Sequence, residues 1–343
     1  MRIPISPVEL EGIDHEREAY LMKAAVYYET GSPDVFRYED VPDPTPGSSD
    51  ILIKVEAVSI EGGDTLNRLQ GDMSHLPHIV GYQCAGTVLE VGSDVTDFVV
   101  GDRVVTVGVD GSHAERRAVS TPFAWKIPDG VSTNDAACVP VPFGTADDCL
   151  FEFGHLQRGE TVLIHAGAGG VGIAAIQLAK RSGARVFTTA SSDEKLERLK
   201  ELGADEGINY VTSDFVGESR RLTDGRGVDV IVDSVGGVTL QGSLDSLAYR
   251  GRCVSVGDAG RSVAERVDIS KMRGNNQTLS GYFLGAELFL SPRPHALIAA
   301  HLDAIAQGEL RVIVDRAFPL ADAEEAHAYI ESRKSFGRVL LIP

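Results

Sequence analysis

The chain has 343 residues, of which 43% are hydrophobic and 24% charged, and carries a formal net charge of -18. That length exceeds what one hydrophobic core usually organises, so two domains are expected, and the lack of any low-complexity tract argues against disorder or a fibrous architecture. The acidic excess repels polyphosphate backbones and anionic lipid surfaces, so neither nucleic-acid nor membrane binding is expected.

No uninterrupted apolar stretch reaches the roughly 18 residues of a membrane span. The N-terminus, MRIPISPVELEGIDHEREAY, has acids where a signal peptide has its apolar centre, which predicts a cytoplasmic protein. Cys84, Cys138, Cys149 and Cys253 form no Cys-x-x-Cys pair and are expected to be packed thiols.

In chain order, residues 1–21 form an extension before the first predicted strand at 22–28. They are either an accessory arm or a leader upstream of a start at Met22, and both readings stay open. Residues 22–145 hold short β-rich runs such as 51–55 and 86–91, separated by turn clusters like Pro42-Asp43-Pro44-Thr45-Pro46-Gly47, and predict a mainly β domain. After Gly159 the pattern changes. Strands at 161–165, 185–189, 228–232 and 251–256 alternate with helices at 171–181 and 193–202, the second closed by Gly203. This alternation predicts an α/β domain over 146–288 with a doubly wound parallel sheet. Residues 289–343 are expected to return to the first domain, ending in the apolar run 337–342.

The segment Ala166-Gly167-Ala168-Gly169-Gly170-Val171-Gly172 holds a Gly-x-Gly-x-x-Gly pattern between a predicted strand and a predicted helix. In that context Gly167 permits a tight turn, Gly169 lets backbone approach a pyrophosphate, and Gly172 allows close helix packing, while the helix N-terminus attracts anionic phosphates. Gly167, Ala168, Gly169, Gly170, Val171 and Gly172 are therefore candidate dinucleotide contacts. Sites that prefer NAD place an acid at the end of the second strand to bind the ribose 2′-hydroxyl. This chain has Thr189-Ala190-Ser191-Ser192 there. A 2′-phosphate would accept hydrogen bonds from Ser191 and Ser192 and pair with Lys195, so NADPH is the expected cofactor. The same serines also suit a helix cap, with Asp193 and Glu194 at its N-terminal dipole, and the two roles are compatible.

Together, the β-rich first domain, the glycine loop and several spaced segments resemble the medium-chain dehydrogenase/reductase superfamily, in its zinc-free quinone oxidoreductase (zeta-crystallin-like) type. The segments are 79–88, Val91-Gly92, Gly101-Asp102-Arg103-Val104 and Gly144-Thr145-Ala146. The resemblance covers nearly everything after Met22 and implies a GroES-like substrate domain beside a Rossmann-type domain. Zinc alcohol dehydrogenases of this superfamily would place a cysteine at Glu61 and a Gly-His-Glu motif at Gly81-Tyr82-Gln83. Tyrosine and glutamine are poor zinc ligands, and the four-cysteine lobe expected after Val104 is missing, so no metal is expected.

By the same resemblance the chemistry is hydride delivery from NADPH to an electrophilic small molecule, a quinone or an α,β-unsaturated carbonyl. Thr145 would lie near the nicotinamide, Tyr210 beside the adenosine phosphate, Ser234, Val256, Gly257 and Phe283 along the cofactor cleft, and Lys334 near the C-terminal segment. A homodimer is also implied. Two departures stand out: many relatives carry asparagine at Glu61, and Met73 replaces a proton-donating tyrosine of enoyl-thioester reductases. Tyr82 is left as a candidate proton donor beside Glu61, whose charge would disfavour anionic substrates. Asp64 and Arg68 share a helix face with Glu61 and are expected to form an internal salt bridge. His75 and His78 read as loop residues, and His165 as a hydrogen-bonded core histidine. The alternatives are an alcohol or aldehyde dehydrogenase of the same superfamily and a non-catalytic NADPH-binding sensor.

Overall fold

The computed structural model describes residues 21–262 and 266–343. Apart from Leu21, the extension at 1–21 lies outside the described residues. Strands β1 (Leu21–Val26) and β2 (Arg37–Pro42) pair antiparallel. They are followed by β3 (Asp50–Ser59), helix α1 (Gly62–Gln70), β4 (Gln83–Val91), β5 (Arg103–Val107), β6 (Arg116–Ser120) and β7 (Ala124–Lys126). The first strand starts one residue early and stops at Val26, because Tyr27 instead bridges to His78. In β3 the alternating Ile51, Ile53 and Val55 are all buried in one cluster with Val88, Val104 and Val119, as a β-branched strand with an apolar face requires.

Helices α2 (Thr133–Ala136) and α3 (Pro140–Asp147) lead to the parallel unit. It comprises β8 (Thr161–Ile164), α4 (Gly170–Ser182), β9 (Arg185–Ala190), α5 (Asp193–Lys200), β10 (Glu206–Asn209), α6 (Phe215–Leu222), β11 (Val228–Asp233), α7 (Val238–Ser246), β12 (Leu247–Ser255), α8 (Ser270–Asn275) and β13 (Thr278–Gly281). The sheet runs β10-β9-β8-β11-β12-β13, every pair parallel. All four residues of β8 are buried, which explains its unbroken apolar run. Helix α4 ends where Gly183 takes φ +86, a left-handed cap that glycine adopts without steric cost.

Helices α9 (Leu284–Leu290) and α10 (Arg293–Ala306) still pack on this unit, with Ile298 and Leu302 in one core with Phe143 and Ile176. The chain re-enters the first sheet only at β14 (Val314–Pro319), continuing through α11 (Ala323–Glu331) to β15 (Arg338–Ile342). That sheet runs β14-β15-β3-β4-β5-β7, with β6 on β3. Val105, Val107 and Trp125 of the β unit belong to the same core as Ile164 and Ile176 of the parallel unit, and Trp125 Nε1 donates to the His295 carbonyl at 3.0 Å. The two units therefore share a continuous apolar contact, and the strand order reverses between β8 and β11.

Candidate active site

Sheet order sets the location. Chain direction across the sheet reverses between β8 and β11, and in such sheets the crevice lies outside the carboxyl ends of the strands. The glycine loop leaves β8 at this point. A Cβ on Gly167 would overlap the Thr188 hydroxyl of β9, and one on Gly172 would come within 2.5 Å of the Ala166 carbonyl, so these two glycines permit close internal packing. The left-handed residue of the turn is Ala166, at φ +49, and not Gly167; the tight turn assigned to Gly167 is made one residue earlier. Gly169 is the exposed N-cap of α4, where a Cβ would meet only the Ala166 carbonyl, at 3.3 Å. Its open side and the free N–H groups of α4 suit a pyrophosphate.

A buried network fixes this loop from below. Ser243 Oγ donates to Asp233 Oδ2 at 2.7 Å and so accepts from His165 Nε2 at 3.1 Å, leaving Nδ1 to accept from Thr189 Oγ1 at 3.1 Å. The Thr189 oxygen in turn accepts the Ala166 N–H at 3.3 Å. Burial lowers the His165 pKa, keeping the ring neutral, as this chain of donors requires. Asp233 Oδ1 also accepts the N–H groups of Val235 and Gly236 at 2.9 Å each. His165 is thus the hydrogen-bonded core histidine expected from sequence, whereas Asp233, Ser243 and Thr189 were not singled out there. The sequence signal for Thr189 and Asp233 was polarity at the ends of apolar strands, whereas Ser243, inside α7, carried none.

The remaining nucleotide candidates gather on the same rim. Ser191 and Ser192 follow β9, and Tyr210, whose N–H donates to the Ala190 carbonyl at 3.2 Å, follows β10 beside them. Ser192 Oγ caps α5 by accepting the Lys195 N–H at 3.3 Å. Lys195 Nζ donates to the carbonyls of Arg333 and Ser335, both at 2.8 Å, which brings the exposed Lys334 to this end of the cleft. Ser234, Val256 and Gly257 lie past β11 and β12; the Val256 N–H donates to the Asp233 carbonyl at 2.8 Å, and Gly257 packs on Ser234. Phe283 follows β13 and is 70% exposed. Thr145 is buried in α3, one turn beyond Val141, whose N–H donates to Gln83 Oε1 at 3.0 Å.

The wall opposite the glycine loop comes from the β unit. Glu61 is buried at the N-cap of α1, and its Oε1 accepts from Arg338 Nη2 and from Gln83 Nε2. Arg338 also donates to Ser59 Oγ, at 2.8 and 3.0 Å, and to the Ile60 carbonyl at 2.6 Å. A Cβ on Gly170 would overlap Arg338 Nη1, so the guanidinium bridges the β unit and the glycine loop. Burial pushes the Glu61 carboxyl up to about 7 against the opposing pull of Arg338. The expectation that the Glu61 charge would disfavour anionic substrates does not hold, because Arg338 faces it directly. Arg338 was the residue sequence reading missed, although a charge at the head of the apolar run Val339-Leu340-Leu341-Ile342 was a usable signal.

The expected Asp64–Arg68 salt bridge is also corrected. Asp64, in the first turn of α1, turns back to accept the Glu61 N–H at 2.8 Å, while Arg68 reaches across to Glu331 of α11. Capping thus takes the carboxylate that the helix spacing had assigned to Arg68. Burial raises the Asp64 pKa to about 8, Glu61 adding to the effect. Tyr82 is half-buried against Gly63, its Oη accepting from Asn67 Nδ2 at 3.1 Å. Burial raises its pKa well above the ordinary value, so it stays a neutral phenol. Met73 lies in the loop after α1. All four cysteines are buried and free.

A glycine-loop helix on a doubly wound parallel sheet, packed against a β unit through a shared core, defines a two-domain nicotinamide-nucleotide oxidoreductase. Residues 47–129 match the family model for the alcohol dehydrogenase GroES-like domain, and residues 170–300 match that for zinc-binding dehydrogenase. The chain is similar to the 2-haloacrylate reductase of a Burkholderia species, 34% identical over 94% of this chain and 99% of that protein. It is 33% identical to a quinone oxidoreductase of Pseudomonas aeruginosa, over 91% and 97% of the two chains. The solved Escherichia coli quinone oxidoreductase complexed with NADPH superposes with a TM-score of 0.88 at 29% identity, over 94% of this chain and all of that one. The chain belongs to the medium-chain dehydrogenase/reductase superfamily, in its quinone-oxidoreductase type.

Proposed function

We propose that the protein transfers a hydride from NADPH to an electron-poor small molecule, a quinone or an α,β-unsaturated carbonyl, without zinc. The observation that carries this reading is the Glu61–Arg338 pair beside Gly170. Zinc dehydrogenases would need ligands at Glu61, Tyr82 and Gln83. Here the Glu61 carboxylate is engaged by Arg338 and Gln83, the Gln83 amide oxygen holds Val141, and Tyr82 resists ionisation. These groups do not fit a zinc ion, and no step is assigned to one. NADPH, when bound, supplies the hydride.

The chain's own residues orient the cofactor and move the proton. Gly169 and the α4 N-terminus suit the pyrophosphate, with Arg338 Nη1 adding positive charge behind Gly170. Ser191, Ser192, Lys195, Tyr210 and Lys334 lie around the end of β9, where the acid of NAD-preferring sites is missing although Asp193 and Glu194 follow in the first turn of α5, and the missing acid supports NADPH over NADH. Tyr82 Oη accepts from Asn67 and keeps its own proton to give to the acceptor oxygen as the hydride arrives at the ring or alkene carbon. The names of the relatives, quinone oxidoreductase and 2-haloacrylate reductase, both describe electron-poor acceptors and support the substrate class.

A homodimer is part of the same reading, because β13 is an edge strand with the exposed Phe283, Phe289 and Leu290 just beyond it. Among the described residues no helix is long and apolar enough to cross a membrane, and a cytoplasmic location remains part of the proposal. The test is NADPH and NADH oxidation against a panel of quinones and enones, before and after chelation. Turnover that prefers NADPH and survives the chelator is expected. NADPH binding without oxidation by any acceptor, or chelator-sensitive turnover of an alcohol alone, would overturn the reading.

A further inference from the structure

We propose that His75, His78 and Asp110 form a binding site for a divalent transition-metal ion of the zinc class. One ligand atom from each lies within 4.8 Å of the other two. His78 is only 5% exposed, and its Nδ1 is buried with no hydrogen-bond partner. A buried, unpaired ring nitrogen is costly unless something binds it, and here two further donors converge on the same ring. None of the three residues has a role in the reaction proposed above.

Sequence spacing supplies only a His-x-x-His pair, and the fold brings the third ligand. The His78 backbone is held by two hydrogen bonds to Tyr27, at 2.9 and 3.0 Å. Asp110 is held beside it, since the Gly111 N–H donates to the Ile79 carbonyl at 2.8 Å and Arg117 Nη2 donates to the Asp110 carbonyl at 2.5 Å. Two ligands thus stand on fixed backbone. The exposed His75 has its Nδ1 against Ser74 Oγ at 2.9 Å, which leaves Nε2 to face the ion, the usual arrangement in which the second ring nitrogen fixes the first. A tetrahedral ion with bonds of about 2.1 Å needs its ligand atoms about 3.4 Å apart, a closure that the surface rotamer of His75 can provide. Two imidazoles and one carboxylate suit zinc and its first-row neighbours rather than magnesium or calcium, and the exposed side leaves a position for water. The net charge of -18 favours cation approach.

The test uses tag-free, chelator-stripped protein titrated with Zn2+ by calorimetry and with Co2+ by visible absorption. One equivalent of Zn2+ should bind, with affinity lowered about tenfold or more in H75A and D110N, and the Co2+ bands of the parent should be weaker or shifted in both variants at the same metal concentration. Both variants alter partly or fully exposed positions, and circular dichroism checks their folding. No Zn2+ binding to the parent, or equal binding by the parent and both variants, would overturn the proposal. Because neither readout involves NADPH, its failure is distinct from failure of the reductase reading.

Discussion

Replacing Glu61 by glutamine tests the energetics of the pair that joins the two units. The carboxyl titrates at 4.5 when unfolded and at about 7 in the fold. Between those values the folded chain keeps a proton that the unfolded chain has lost, so stability falls as pH rises through the window. A displacement of that size is worth about 3 kcal/mol, fully expressed above about pH 7. Desolvation of the carboxylate outweighs its attraction to Arg338, the usual balance for an enclosed ion pair. Glutamine suits the site because Arg338 and Gln83 both donate to the same oxygen, Oε1, which the amide retains. Urea unfolding of both proteins from pH 5 to pH 8 is the assay. E61Q should match the parent near pH 5 and gain on it by up to about 3 kcal/mol at pH 8. A flat difference across that range, or one favouring the parent at pH 8, would refute the reasoning.

Arg338→Met should act in the opposite direction, losing about 3–5 kcal/mol at pH 8 by leaving Glu61 without its counter-charge; the loss should shrink in an E61Q background, as a double-mutant cycle measured by urea unfolding would show. Gly169→Ala should fold normally, since its methyl meets only the Ala166 carbonyl, yet weaken NADPH binding about tenfold or more in a fluorescence titration by occupying the phosphate side. Tyr82→Phe should lower kcat about a hundredfold with little change in NADPH affinity, and an unchanged kcat would remove the phenol as proton donor.

Several features were legible without coordinates because they depend on local rules. Glycine spacing between a strand and a helix, the missing acid after Thr189, and the alternation of strands and helices all follow from backbone geometry over a few residues, and the structure has the glycine loop at the strand-order reversal. Helix spacing placed Glu61, Asp64 and Arg68 on one face, yet it named the wrong partner for Arg68. Glu331 lies 263 residues away, and no local period reports so distant a contact. The same limit hid Arg338 from Glu61, Asp110 from the His75–His78 pair, and Ser243 from His165.

The sequence by itself determined the class of fold, the glycine loop and the departure from the zinc-dehydrogenase residues at 61, 82 and 83, because each rests on residue type and short-range spacing. Only the tertiary structure decided which charges neutralise one another and which polar groups stay unpaired. Those outcomes depend on β15 inserting beside β3 and on the loop after β5 folding against residue 79. Both are long-range placements fixed by burial of apolar strands, and the polar side chains take whatever partners that burial brings within reach.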